Sequence, residues 1–205
     1  MRSATLLDIA MSHSEQIIER ARLGDRGAFN KLVSLWYKRI YNFANKYFND
    51  HDLASEAAQR TFIKVFDSLD QLSDPHKFKS WIYVIVLNYC REEDRKMGRV
   101  SKLFVNETDE AKERHEDKDR KGPEKQFESN ELSEIVMKGL NELPEEQKSI
   151  VIMKEYEGLK FREIAEVLNI SENTVKSRLY YGLKNMRKIL ENNRAFKESY
   201  DNGNA

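Results

Sequence analysis

The chain has 205 residues, 40% of them apolar, with 35 basic and 35 acidic side chains and no net charge. That length fits one large domain or two small ones with real cores, and the neutral balance argues against a general polyanion coat without saying where the charges sit. The single cysteine, Cys90, excludes a disulfide framework and a thiolate metal cage.

Residues 1–13 read as an N-terminal extension with one arginine and a weak apolar patch, lacking the long apolar core of a secretion signal. The longest strongly apolar stretch, residues 81–87, is far short of a membrane span. The expectation is a cytoplasmic protein in reducing surroundings. Apolar residues recur at steps of three and four and strict alternation is absent, so the fold class is all-α.

A first helical domain is expected over residues 14–96. Residues 28–47 form one long amphipathic segment. Asp50 or Asp52 then caps a helix running to Ser68. It carries Leu53, Ala57, Thr61 and Val65 on one side, with Ala54, Ala58, Phe62, Phe66 and Leu69 adjoining. A loop at 70–76 is marked by Ser73-Asp74-Pro75, and a third long helix spans 77–96. Phe43, Tyr47, Phe62, Phe66, Phe78 and Trp81 are read chiefly as core.

Residues 97–126 differ. Almost every residue from 108 to 121 is charged, with both signs mixed, so the segment buries too little to offset its ordering entropy. It reads as a flexible charged linker, with 111–120 also compatible with a solvated helix. A second domain follows over 127–194, and 195–205 is a tail. In that domain residues 131–140 form a short helix. Pro144 suits a first helical position, and Glu145 and Glu146 suit the positive end of the helix dipole. That helix runs to Tyr156, and Glu157-Gly158 breaks it.

Phe161, Ile164, Ala165 and Leu168 make one apolar stripe on a short helix. Asn169-Ile170 is the turn, and Ser171 caps the next helix. That helix is expected to bury Val175, Leu179, Leu183, Met186 and Leu190 and to expose Asn173, Ser177, Tyr180, Lys184 and Lys188. The pattern is a helix-turn-helix within a four-helix, winged-helix-like domain without a wing. It also fits an ordinary amphipathic helix with a solvated face, and charge favours the first reading. Residues 172–194 hold six basic and two acidic side chains, whereas 128–171 hold five basic and ten acidic. A positive face on the last helix meets the need of phosphate contacts, and short polar groups at its N-terminal end can reach base edges.

Leu143-Pro144-Glu145-Glu146-Gln147, Tyr156-Glu157-Gly158-Leu159, Glu163-Ile164-Ala165-Glu166-Val167-Leu168 and Thr174-Val175-Lys176-Ser177-Arg178-Leu179 together resemble region 4 of bacterial sigma factors of the sigma-70 family, in the extracytoplasmic-function group. The stretch from Leu53 through Ala54-Ser55-Glu56-Ala57-Ala58-Gln59-Arg60-Thr61 to Phe62 is similar to region 2.2. Phe78-Lys79-Ser80-Trp81-Ile82-Tyr83 with Asn88 is similar to regions 2.3 and 2.4. The resemblance covers residues 24–96 and 127–190. There are departures: Arg60 stands where the family usually has Glu, Glu92 where it has Asp, and Val84 and Leu87 where Arg is frequent.

The resemblance implies a subunit that binds RNA polymerase core through β and β′, recognises promoter DNA at the −35 and −10 elements, and is held by an anti-sigma factor. The −35 contacts would come from Ser171, Asn173, Thr174, Lys176, Ser177, Arg178, Tyr180, Tyr181 and Lys184. The −10 contacts would come from Lys77, Phe78, Lys79, Tyr83, Asn88, Arg91 and Arg95, with Lys96 beside them and the loop at 70–76 holding a flipped base. The core-binding row would be Asp52, Ser55, Glu56, Gln59, Arg60 and Thr61.

His13, His51, His76 and His115 have no metal-ligand spacing, Cys90 has no sequence-local His, and no Gly-rich phosphate loop appears. No cofactor, metal or catalytic constellation is expected. Two other readings stand beside the first: a helix-turn-helix regulator that never joins polymerase core, and an enzyme with an attached DNA-binding domain.

Overall fold

The computed structural model describes residues 13–104 and 124–192, and side chains over 14–98 and 133–192. Residues 1–12, 105–123 and 193–205, which include His115, most of the expected linker and the tail, lie outside the described residues.

All regular structure among the described residues is helical. The first half contains α1 (His13–Arg22), α2 (Arg26–Phe48), α3 (His51–Ser68) and α4 (Phe78–Phe104). Two of these starts are capped by aspartate. Asp25 accepts the Ala28 N–H at 3.0 Å, and Asp50, of the two expected candidates, accepts the Leu53 N–H at 2.9 Å. Each such cap stabilises its helix by about 1 kcal/mol. Asn49 ends α2 in the left-handed region, φ 53°, a conformation that asparagine tolerates better than most residues. The segment at 70–76 is more ordered than a plain loop: single 3₁₀ turns occupy Leu69–Gln71 and Pro75–Lys77, the second capped by Asp74.

Small side chains let α3 approach its neighbours. Ala54, Ala57 and Ala58 are fully buried beside Phe43, Ala44 and Tyr47 of α2 and Ile82, Val86 and Cys90 of α4. Phe66 departs from expectation. It is 58% exposed and meets Phe29 edge-on at 5.1 Å, because its position on α3 faces the open groove between α2 and α3.

The second half contains α5 (Glu124–Asn141), α6 (Glu145–Val151), α7 (Phe161–Leu168) and α8 (Glu172–Glu191). Helices α4 and α5 both reach into the stretch read as linker. No proline stops α4, and Val100, Leu103 and Phe104 continue its three-and-four spacing. Pro144 caps α6 rather than opening it. The chain then widens into one π turn, Ile152–Tyr156, before Gly158 at φ 64° reverses it. Asn169 ends α7 at φ 52°, and Ser171 Oγ accepts the Thr174 N–H at 3.1 Å, so the sharp turn between α7 and α8 is capped on both sides.

Helix α8 buries Val175, Leu179, Gly182 and Met186. Leu183, expected inside, is 43% exposed. Gly182 takes the inward place instead, where α6 crosses so closely that a side chain would have to push its neighbours aside by a few tenths of an ångström. A Cβ there would lie 3.2 Å from Val151 Cγ2 and 3.3 Å from Gln147 Cβ.

The two halves touch. Their buried apolar side chains form one continuous cluster from Ile17 to Met186, with α7 packed on α4 and the π turn packed on α2.

Candidate nucleic-acid interface

The outer face of α8 is open. Ser171, Asn173, Lys176, Ser177, Tyr180, Tyr181 and Lys184 are exposed, and Thr174 and Arg178 are half-buried. Ser171 and Thr174 share a hydroxyl hydrogen bond of 2.8 Å, which holds the start of the helix. Lys176 Nζ lies over the Phe161 ring of α7 at 5.6 Å, a cation–π contact that leaves the side chain exposed. Arg178 is tied to Glu146 of α6 at 2.7 Å, which orients the guanidinium beside the same face.

The residues expected to meet the −10 strand divide in two. Lys77, Asn88 and Arg95 are exposed. Phe78 and Tyr83 are core side chains and present no face to solvent. Phe78 packs edge-on to Trp36 at 5.4 Å, and Tyr83 to Phe43 at 5.6 Å. Both pack inward in this arrangement, because at this end α4 is apolar on nearly every side.

Lys79 and Arg91 already hold anions. Lys79 Nζ donates to Glu163 Oε2 at 2.9 Å, and Arg91 Nε donates to Glu145 Oε1 at 2.8 Å. Between them Ser80 Oγ donates to Glu166 Oε2 at 3.0 Å and Tyr83 Oη to Glu157 Oε2 at 2.6 Å. All four acceptors belong to the acidic side of the second half. The signal was present in the sequence as the ten acidic residues of 128–171, but only folding shows what they face. Glu157, read as a breaker beside Gly158, follows the π turn and donates its N–H to Ile152 O at 3.1 Å.

Burial shifts several of these groups. It holds the Glu157 carboxyl above its ordinary range, against the opposing pull of the Tyr83 hydroxyl, Arg39 and Lys79. It also raises Tyr83, with the Glu157 charge adding to the effect. Burial would raise Glu163 too, but the Lys160 N–H at 2.6 Å and the Lys79 ammonium outweigh it and hold that carboxyl low.

Of the row on α3, Asp52, Ser55, Gln59 and Arg60 are exposed and Glu56 is half-buried. Arg60 pairs with Glu56 at 2.6 Å and lies over the Tyr89 ring at 5.0 Å. Tyr89, which donates to Glu56, is pushed up to about 12 by burial and the Glu56 charge. Thr61 departs from the row: it is fully buried and its hydroxyl donates to Ala57 O at 2.7 Å, one turn back. Ile63, 54% exposed, adds an apolar position that the spacing argument missed.

Cys90 is buried, and burial together with the nearby Asp94 charge pushes its thiol well up, which leaves it unreactive. No cluster of His, Cys, Asp and Glu able to hold a metal occurs among the described residues, and no helix there is long and apolar enough to cross a membrane.

Comparison with known proteins matches two family models in chain order: Sigma-70 region 2 over residues 32–100 and Sigma-70 region 4 over residues 133–186. The chain is 28% identical over 181 residues to the ECF RNA polymerase sigma-E factor of Haemophilus influenzae, covering 87% of this chain and 93% of that protein. It is 26% identical over 186 residues to the RNA polymerase sigma-H factor of Pseudomonas aeruginosa, covering 89% and 96%. Two solved structures share the fold. The sigma factor RpoE of Bartonella quintana, in complex with the anti-sigma factor NepR, has TM-score 0.62 at 21% identity and covers 81% of this chain and 98% of that one. CnrH, in complex with the cytosolic domain of CnrY, has TM-score 0.64 at 18% identity and covers 88% and 98%. Two region models in the right order, joined to relatives matched over 87% and 89% of this chain, leave one assignment: the chain belongs to the sigma-70 family of bacterial RNA polymerase sigma factors, in its extracytoplasmic-function group.

Proposed function

We propose that this chain joins RNA polymerase core in the cytoplasm and directs it to promoters, with α8 reading the −35 duplex and α4 gripping the −10 strand. The domains are taken as 14–96 and 127–194. The observation that carries this reading is the pairing of region 2 and region 4 on one chain with a polarised second half whose basic helix is open to solvent.

Lys176, Arg178 and Lys184 supply charge for phosphates, and Asn173, Thr174 and Ser177 supply short polar groups near the helix start. Lys77, Asn88 and Arg95 are the exposed part of the −10 grip. Asp52, Ser55, Glu56, Gln59 and Arg60 form the surface for the β′ subunit, with region 4 against β. Arg60, in place of the family's usual Glu, is already paired to Glu56, so the acidic partner that this surface offers is Glu56 in a neutralised pair. The protein is not an enzyme; sigma factors are initiation factors, and RNA synthesis belongs to the core. An anti-sigma factor is a further partner, as it is for the sigma factor RpoE of Bartonella quintana.

A helix-turn-helix regulator acting without core is the competing reading, and the region 2 half argues against it. Transcription from a genomic library with purified core separates them. Discrete starts that require this chain support the proposal, and no start at any promoter removes it.

A further inference from the structure

Helix α1 lies ahead of the region 2 match, which begins at residue 32. It packs on α2 and buries Ile17, Ile18 and Ala21. Its C-terminal corner is fastened to the next helix, where Arg20 Nη2 donates to Asp25 Oδ2 at 2.6 Å and Asp25 also caps α2. The other neighbour of α1 is the loop between α3 and α4.

Glu15, Ile18 and Arg22 follow the spacing i, i+3, i+7, so they share one face over about 10 Å of helix. That face meets the loop at both ends. Arg22 Nη1 donates to Leu72 O at 3.4 Å, and Glu15 Oε1 meets His76 Nδ1 at 2.8 Å. Arg22 is held ready by its own helix: its Nε and Nη2 donate to the two Glu19 oxygens at 3.0 and 2.6 Å, which leaves Nη1 for the carbonyl. Leu72 is fixed further by its buried side chain and by its N–H, which donates to Leu69 O at 3.1 Å. The His76 N–H donates to Asp74 Oδ1 at 3.0 Å. Beside these anchors Asp70, Gln71, Ser73 and Lys77 are exposed. They turn to water donors and acceptors of the kind that read the edge of an unstacked base.

We propose that α1 belongs to the −10 machinery, with Arg22 and Glu15 as positioning residues that hold the loop at Leu72 and His76 in the shape that captures an unstacked base. This rests on the reading of the loop at 70–76 as the base-capturing segment. Two fixed points make the ordering of the loop part of the fold, so less freedom is lost when a base enters. A loop in the capturing shape about a fifth of the time binds about fivefold more weakly. The Arg22 side chain is 28% exposed and the His76 side chain 64%, so water competes more at the second anchor and Arg22 carries the larger effect.

The test uses holoenzyme assembled from core polymerase and the full chain, on the promoter mapped in the transcription experiment, with each −10 non-template base varied in turn. Run-off transcript yield gives the ratio of best to worst base at each position. Gln71→Ala with Ser73→Ala, on the loop itself, should mark the captured position by lowering its ratio. Arg22→Ala should lower the ratio at that same position about three- to tenfold and Glu15→Ala about two- to threefold, with other positions, core binding and −35 duplex binding unchanged. Arg22→Lys keeps a donor for the Leu72 carbonyl and should recover part of the ratio. Helix α1 keeps Ile17, Ile18 and Ala21 in Glu15→Ala, so that variant decides the matter if Arg22→Ala destabilises the chain. Unchanged ratios in both α1 variants, with the loop variant effective, overturn the brace and leave the loop reading standing. A fall at every position alike, in step with lost stability in urea, makes α1 part of the core only and overturns the brace as well. A loop variant without effect at any position removes the loop reading, and the brace with it.

Discussion

Helices α4 and α8 are both basic candidate DNA surfaces, yet one is covered and the other open. Helix α8 turns Lys176, Lys184, Tyr180 and Tyr181 to water and ties Arg178 to Glu146 and Arg187 to Glu191, acids of its own half. Helix α4 spends Lys79 and Arg91 on carboxylates from across the interface. The difference teaches that basic residues on a helix mark where an anion goes without saying which anion. Of the acids of the second half, Glu146 and Glu191 pair with α8, while Glu145, Glu157, Glu163 and Glu166 meet α4.

The largest expected effect comes from breaking the open surface at its base. Gly182→Val forces α6 and α8 apart, where a Cβ already meets Val151 Cγ2 at 3.2 Å. The loss should be about 1–3 kcal/mol of stability, read by urea denaturation, with −35 duplex binding reduced in step. Next is the surface itself. Lys176→Ala or Arg178→Ala should weaken −35 duplex binding by about 1–3 kcal/mol where a base edge is read, or lower the salt dependence by about one unit where a phosphate is held. Unchanged binding by both variants would remove α8 from the duplex. The Arg178 pair with a 60%-exposed Glu146 side chain should contribute little to stability itself.

Asn88→Ala sharpens the covered side, since Asn88 is exposed and lies outside the four α4 donors bonded to carboxylates of the second half. Promoter opening by permanganate footprinting should fall while duplex binding holds. The smallest effect is on pH. Burial holds the Glu157 carboxyl above its ordinary range in the closed form, with Tyr83 and Lys79 of α4 and Arg39 of α2 facing it. The closed form therefore binds that proton more tightly than an open one. Its contribution to closure is complete below the ordinary carboxylate range and is lost as pH rises through the raised value. Glu163, held low, works in the opposite sense at more acid pH. Scattering across pH should show the upper limb in the wild type and not in Glu157→Gln.

Much of this was legible from sequence. The cap at Ser171, the turn at Asn169-Ile170 and the places of Val175, Leu179 and Met186 follow from local chemistry that reads the same in isolation as in the fold. Leu183 was misplaced because periodicity counts apolar positions without knowing that α6 needs a glycine beneath it. Phe66 was misplaced because an aromatic on a helix does not announce an open groove. Tyr83 was read as strand-facing, but it is buried and bonded to Glu157, a carboxylate 74 residues away. No local pattern reports such a pair. The acids that meet α4 were visible as a charge excess, and their partners were not, because these depend on how two halves meet.

The most direct measurement is the distance between the halves in the free chain and on core polymerase. Spin labels at Ser34→Cys on α2 and Lys188→Cys on α8 use exposed positions, and Cys90 is buried and stays unlabelled. Double electron–electron resonance should give one short distance in the free chain and a longer one in the holoenzyme, with the free chain moving toward the longer value as salt rises. A single distance that is the same in both would contradict a covered α4 that opens to work.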